Sequence, residues 1–225
     1  MVKIYEVGGA VRDQFRGKVA KDRDFVIEGT DFDGMRELIL GKGGEIFLET
    51  PKYFTIRAKL PDIGAADFAL CRADGEYKDG RHPENVQQAT ILTDLARRDF
   101  TMNAIAVNVD TAEVIDPFDG RGDVRRGIIK CVGNPTERFN EDRLRILRAL
   151  RFRIVLGFFL DDEIIRYLSN EFVDLSGVSA ERIREELFKM FNYDTQRSLA
   201  LLANFPELRQ QIFAHNIKLV PTLYV

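Results

Sequence analysis

VGGAVRDQFRGKVAKDRDFVI, residues 7–27, is the stretch on which the reading of this chain turns. It places a glycine pair, Gly8 and Gly9, ahead of Arg12, and then two aspartates one residue apart, Asp22 and Asp24. In a strand alternate side chains leave the same face, so these carboxylates project together, roughly 7 Å apart along the chain. Such a pair suits one or two hard divalent cations, which take carboxylate and phosphate oxygens as ligands. The glycine turn lies where a helix can begin, and exposed backbone N–H groups at such a place attract phosphate. Metal and phosphate together point to chemistry on a nucleoside triphosphate. Each half is weak alone: most Asp-x-Asp pairs are turn or surface residues, and many glycine pairs serve only a tight turn. Their order and short separation strengthen each other.

Composition frames this. A chain of 225 residues, 45% hydrophobic, buries a sizeable core and fits one or two compact domains. A formal net charge of −3 argues against a uniformly basic nucleic-acid binder. The charge is uneven, however: residues 121–153 hold ten Arg or Lys against four Asp or Glu. That segment suits a local phosphate-contacting surface or, more plainly, a solvated helical face. The two cysteines, Cys71 and Cys131, lack zinc-type spacing and are expected as free thiols. Two histidines, His82 and His215, cannot supply a His-rich metal centre. With no apolar run near 18 residues and no basic-then-apolar leader, a soluble, cytoplasmic chain without membrane contact is expected.

Working outward, residues 2–132 mix short apolar runs with turn signals, as a sheet with flanking helices does. Strands are expected over 4–7, 25–27, 45–48, 54–60 and 66–70, and helices over 11–15 and 33–40. Residues 72–86 are polar and turn-rich and read as a mobile loop. A helix is expected near 93–97, and a hairpin from 105–109 and 113–115. From Thr136 the period changes: Leu144, Leu147, Leu150 and Ile154 form a helical apolar stripe. After a break at Gly157, Ile164, Ile165 and Leu168 continue it. Residues 180–191 read as a helix with Ser179 as N-cap and Ile183, Leu187 and Met190 on one face. One more helix is expected over 198–202. The second part is therefore read as a small all-helical domain.

Asp142, Arg145 and Arg148 lie three apart beside the leucine stripe, on what reads as one long helix. The plain reading is an ion pair on a solvated face, contributing a few tenths of a kcal/mol. A chemical reading also exists. A carboxylate only accepts hydrogen bonds and a guanidinium only donates them. Adenine and cytosine each present an amino donor beside a ring-nitrogen acceptor, whereas guanine and uracil present the opposite order. An adjacent Asp and Arg would pair with the first two bases and reject the others, a mismatched buried polar group costing roughly 1–3 kcal/mol.

At this point the sequence resembles the class II tRNA nucleotidyltransferases, which add CCA to tRNA 3′ ends, and their bacterial poly(A) polymerase relatives. VGGAVRD at 7–13 looks like the family's phosphate turn and DRD at 22–24 like its metal pair. RRDFTMNAIA at 97–106 is similar to the ribose and phosphate motif. DPFDG at 116–120, with Asp123, resembles the element joining head and neck. EDRLR at 141–145 matches the nucleotide-selecting EDxxR pattern, with Arg143 where Pro is usual, and ERIREEL at 181–187 resembles the last neck motif. Six motifs in order make coincidence an inadequate account.

The resemblance implies an α+β fold: a polymerase-β-like nucleotidyltransferase head with a mixed β-sheet and helices over 1–133, then a helical neck over 134–225. It implies that Asp22 and Asp24 hold Mg²⁺ and that Gly8, Gly9 and Arg12 meet the triphosphate. Arg98, Arg148 and Arg151 are implied as further nucleotide contacts, and Asp142 and Arg145 as readers of the base. Asp67 is the candidate third carboxylate, with Asp62 and Asp74 as competitors. ATP, CTP and the tRNA 3′ end are the implied substrates. The 72–86 loop, with Asp74, Gly75 and Tyr77, is implied in switching from C to A. Relatives normally carry further helical body and tail domains, so a short form lacking most of them is expected. Its tRNA grip would come from the basic helix, a partner subunit or rapidly exchanging contacts. The rival readings are poly(A) or A-only addition, and a non-catalytic RNA-binding module, against which the intact Asp22 and Asp24 argue.

Overall fold

The computed structural model describes residues 1–20, 22–75, 86–170 and 173–214. These fall into two compact units, residues 1–75 with 86–126, and residues 127–214. In the first, the chain runs β1 (Lys3–Val7), α1 (Gly9–Phe15), β2 (Arg23–Glu28), α2 (Phe32–Gly41), β3 (Glu45–Thr50), β4 (Thr55–Leu60) and β5 (Gly64–Leu70). It continues through β6 (Arg72–Asp74), β7 (Val86–Gln88), α3 (Ile91–Ala96), β8 (Ala106–Asn108), β9 (Val114–Ile115) and α4 (Gly120–Arg126).

Seven strands form one mixed sheet in the order β3-β4-β5-β2-β1-β8-β9. β2 and β5 pair in parallel; the neighbours on either side run antiparallel. Strict alternation explains the buried face. Ile56, Ala58 and Leu60 of β4 and Ala66, Phe68 and Leu70 of β5 point inward, while Arg57, Lys59, Ala65 and Asp67 stay exposed. Met35 and Ile39 of α2 pack on that face. Phe25 stacks on Phe68 with ring centroids 5.2 Å apart. Each large apolar side chain buried there contributes about 1.5–3 kcal/mol. Because Phe25 and Phe68 face the core, their preceding neighbours Asp24 and Asp67 leave from the opposite face.

Three differences from the sequence reading have physical causes. β2 begins at Arg23, so Asp22 sits in a bend just before the strand rather than within it. The polar 72–86 stretch is partly paired: β6 and β7 are antiparallel, Arg72 opposite Gln88 and Asp74 opposite Val86. Backbone pairing needs no apolar alternation, which is why composition suggested a loop; residues 76–85, with Tyr77 and His82, lie outside the described residues. α3 starts at Ile91, ahead of the expected 93, because the Thr90 hydroxyl caps it by accepting from the Thr93 N–H.

The second unit contains β10 (Ile128–Ile129), α5 (Pro135–Glu141), α6 (Leu144–Leu156), β11 (Phe159–Leu160), α7 (Asp162–Leu168), α8 (Ala180–Tyr193), α9 (Thr195–Ala203) and α10 (Pro206–Ala214). It is helical apart from the two-residue parallel pair β10–β11. Leu144, Leu147, Leu150 and Ile154 of α6 are buried, as are Ile183, Leu187 and Met190 of α8, and the two helices pack together. Asp142, expected on one long helix with Arg145 and Arg148, lies instead between α5 and α6. Asp142 has extended backbone (φ −143°, ψ 101°) and its carboxylate accepts from the Leu144 N–H at 3.0 Å, closing α5 and opening α6. Cys71 and Cys131 are buried, and burial pushes the Cys71 thiol up. No helix among the described residues is long and apolar enough to cross a membrane.

Candidate active site

The centre of the site is a register. In the antiparallel β1–β2 pair Val7 lies opposite Asp24, and in the parallel β2–β5 pair Asp24 lies opposite Asp67. Partners across a ladder point to the same face, so the two carboxylates sit side by side at the strand ends. Gly8 follows Val7 directly, with φ 73° and ψ −140°, a conformation only glycine adopts without strain. A Cβ there would meet Asp24 Oδ2 at 3.3 Å and Arg98 Nη1 at 3.5 Å. The missing side chain is what lets the phosphate-type turn, a carboxylate and a guanidinium approach one another.

Asp22 and Asp24 are both exposed, and Asp67 is half open, with Arg57 at 3.8 Å. Partial desolvation, and then the neighbouring charge of Asp67, hold the Asp24 carboxyl above the usual carboxylate range; Arg98 offsets this in part, and Asp22 adds to it. Crowded carboxylates relieved by a cation are the arrangement a divalent ion requires. Among the described residues no three Asp, Glu, His or Cys side chains form a ready cage. Magnesium does not need one, since it usually takes one or two carboxylates and completes its shell with water and substrate phosphate.

Arg12 is buried and committed to protein acceptors. It forks onto Asp13, Nε to Oδ1 and Nη2 to Oδ2, both at 3.0 Å, and its Nη1 donates to Asn103 Oδ1 at 2.9 Å. A Cβ on Gly9 would lie 3.5 Å from Arg12 Nη2, so this guanidinium lies against the turn. Asn103 Nδ2 donates in turn to Asp99 Oδ1 at 3.0 Å. Arg98 is held by Asp94, whose side chain is 0% exposed. Sequence reasoning missed Asp94, Asn103 and Asp13. The i,i+3 and i,i+4 spacing of Asp94 to Arg97 and Arg98 was the available signal.

In the second unit Asp142 and Arg145 both have partners. Asp142 Oδ2 accepts from Arg182 Nη2 at 3.4 Å. Buried Arg145 donates from Nη1 to Glu141 Oε2 at 2.9 Å and to the Arg138 carbonyl at 3.2 Å. Arg151 Nε donates to buried Glu186 at 2.5 Å, and Arg148 and Arg151 both lie over the Phe152 ring.

Residues 4–130 match the family described as Poly A polymerase head domain. The chain belongs to this family. The CCA-adding enzyme of Geobacillus stearothermophilus is 37% identical over 207 residues, covering 88% of this chain and 48% of that enzyme. The crystal structure of the Bacillus stearothermophilus CCA-adding enzyme in complex with CTP superposes with a TM-score of 0.76 at 32% identity, over 92% of this chain and 49% of that one. A tRNA nucleotidyltransferase complexed with a primer tRNA and an incoming ATP analog gives 0.74 at 30% identity, over 94% and 59%. The chain spans about half the length of the curated relatives it matches. The matched stretch includes Gly8, Asp24, Asp67 and Arg98.

Proposed function

We propose that this chain is a template-independent RNA nucleotidyltransferase that adds CCA, as CMP and AMP from CTP and ATP, to tRNA 3′ ends in the cytoplasm. The observation that carries the reading is the meeting of Asp24, Asp67, Gly8 and Arg98 at one end of the sheet. Its likeness to enzymes solved with CTP, and with tRNA and an ATP analog, supports the choice of substrates. We assign residues 1–133 as the catalytic head and 134–225 as the neck.

In the reaction the tRNA 3′ oxygen bonds to the α-phosphorus, the bond to the β-phosphate bridge breaks, and pyrophosphate leaves. Asp22 and Asp24 would hold Mg²⁺, which polarises the attacking hydroxyl and neutralises the leaving pyrophosphate. Asp67 accepts the hydroxyl proton. The Gly8–Gly9 turn lets the triphosphate approach the backbone closely, and Arg98 places fixed positive charge beside it. Arg12 supports the turn from beneath through Asp13 and Asn103 rather than by direct contact. Asp142 and Arg145 read the base: an amino group on C or A competes for Asp142 Oδ2, whose 3.4 Å bond to Arg182 is long. Arg148 and Arg151 are assigned as flanking nucleotide contacts.

Addition of adenylate alone is the second reading, favoured by the family's own description. Incubating the full chain with tRNA transcripts lacking CCA, or ending in CC, plus ATP, CTP and Mg²⁺ separates the two. Sequenced products ending in CCA are expected. Long adenylate runs without cytidylate would replace this reading with the second.

A further inference from the structure

Arg98 stands beside the carboxylate that the proposed reaction needs most. A guanidinium and a carboxylate within reach of one point close readily into a bidentate pair. Both groups here approach the space above Gly8, at 3.3 Å and 3.5 Å from the place a Cβ would occupy. Yet among the described residues the Asp24 carboxylate accepts no hydrogen bond and forms no ion pair.

The reason lies on the other side of Arg98. Asp94 Oδ2 accepts from Arg98 Nη2 at 2.9 Å and Nε at 3.3 Å, and the Asn103 carbonyl accepts from Nη1 at 3.3 Å. All three guanidinium nitrogens are thus engaged. Asp94 is itself fixed: Oδ1 accepts from Arg97 Nη2 at 2.8 Å, from Arg97 Nε at 3.1 Å and from the Arg72 N–H at 3.4 Å. One fully buried carboxylate is thus shared by two arginines.

We propose that Asp94 is a positioning residue that keeps Arg98 from closing on Asp24, so that Asp24 stays open for a divalent cation while positive charge remains beside the glycine turn. The inference rests on the nucleotidyl-transfer reading above; Asp94 itself touches neither metal nor nucleotide. Without Asp94, Arg98 turns to the nearest carboxylate and occupies the cation's place.

The test is direct Mn²⁺ binding to the full chain without nucleotide, read from the paramagnetic resonance signal of the free ion. Asp94→Asn is expected to weaken Mn²⁺ binding by about tenfold or more, the usual scale for a partner that orients a site from behind. Arg98→Gln is expected to bind Mn²⁺ at least as well as the unaltered chain. The double variant Asp94→Asn with Arg98→Gln is expected to recover Mn²⁺ affinity, which simple damage to the fold would not allow. CTP affinity in EDTA, by calorimetry, falls in all three. Unchanged Mn²⁺ affinity in Asp94→Asn, or no recovery in the double variant, overturns the proposal. Should circular dichroism find Asp94→Asn unfolded, Arg98→Gln decides: weakened Mn²⁺ binding overturns the proposal, and equal or tighter binding supports it. An unaltered chain that binds no Mn²⁺ would instead defeat the metal reading itself.

Discussion

Asp24 carries its charge at a cost to the folded chain, because partial desolvation and the adjacent Asp67 push its carboxyl up. A raised carboxyl holds its proton more tightly folded than unfolded. Its contribution to stability is therefore present at low pH and lost as pH rises from the ordinary value through the raised one. Asp24→Asn is accordingly expected to abolish transfer of both CMP and AMP while raising the melting temperature of the metal-free protein at pH 7. Solvent screening at this exposed group limits the gain to about 1 kcal/mol or less. A lower melting temperature in EDTA would contradict the electrostatic account. Asp94 has the opposite sign: burial pushes it up, but Arg98 and Arg97 outweigh burial and hold it below the usual range. Its stabilisation is complete above the ordinary aspartate value and disappears as pH falls through the lowered one. Asp94→Asn should thus flatten the fall in stability below about pH 4, read from urea unfolding across pH. Gly8, Asp24 and Arg98 were legible because motif order survives without knowledge of packing. The commitment of Arg12 to Asp13 and Asn103 was not, since no sequence rule names which of several acceptors a buried guanidinium finds.

At the scale of elements, the turn between α5 and α6 joins stability to base selection through one carboxylate. Asp142→Ala removes the acceptor for the Leu144 N–H, a loss of about 0.5–1.5 kcal/mol in thermal unfolding. On the proposed reading it also relaxes discrimination between CTP and UTP. Asp142→Asn separates the effects: one oxygen still caps α6 while the other position becomes a donor, so stability holds and selectivity changes. If Asp142→Ala kept full selectivity, the side-chain template would have to be abandoned. At the end of α6, Gly157 takes φ 72° as the C-cap, so Gly157→Ala should cost about 1 kcal/mol without altering nucleotide choice. The sheet strands were readable because alternation is local, as in Ile56, Ala58 and Leu60. The α5–α6 break was not, because the leucine stripe keeps its period on one side of it and the four residues 140–143 carry no apolar marker. The pairs β6–β7 and β10–β11 are too short for any alternation to register, and α10 begins at Pro206, beyond the last helix expected over 198–202.

Over the whole chain the basic segment 121–153 reads as a local phosphate-contacting surface or as a solvated helical face, and most of its cations are engaged within the fold. Arg126 pairs with Asp119 and Asp123, Arg138 and Arg145 with Glu141, Arg143 with Asp174, and Arg151 with Glu186. Arg148 and Arg153 lie over aromatic rings. Arg121, Arg125 and Lys130 remain exposed and outside these ion pairs, Arg121 over the Phe15 ring. Sequence counts charges but not their partners, so composition alone left both readings open. The difference is measurable through counterion release, which lowers log affinity by roughly 0.9 for each neutralised phosphate per tenfold rise in salt. If the whole segment met RNA, its ten cations would contribute a slope of about 9; the three exposed ones outside these ion pairs contribute about 3. Filter binding of tRNA between 50 and 200 mM salt (roughly the range where such slopes are linear) tests this by difference. Replacing Arg121, Arg125 and Lys130 together by alanine should reduce the slope by about 3, whereas alanine at Arg143, already paired with Asp174, should leave it unchanged. A large drop from Arg143 alone would mean that its ion pair opens on RNA, and that the segment acts as one surface after all.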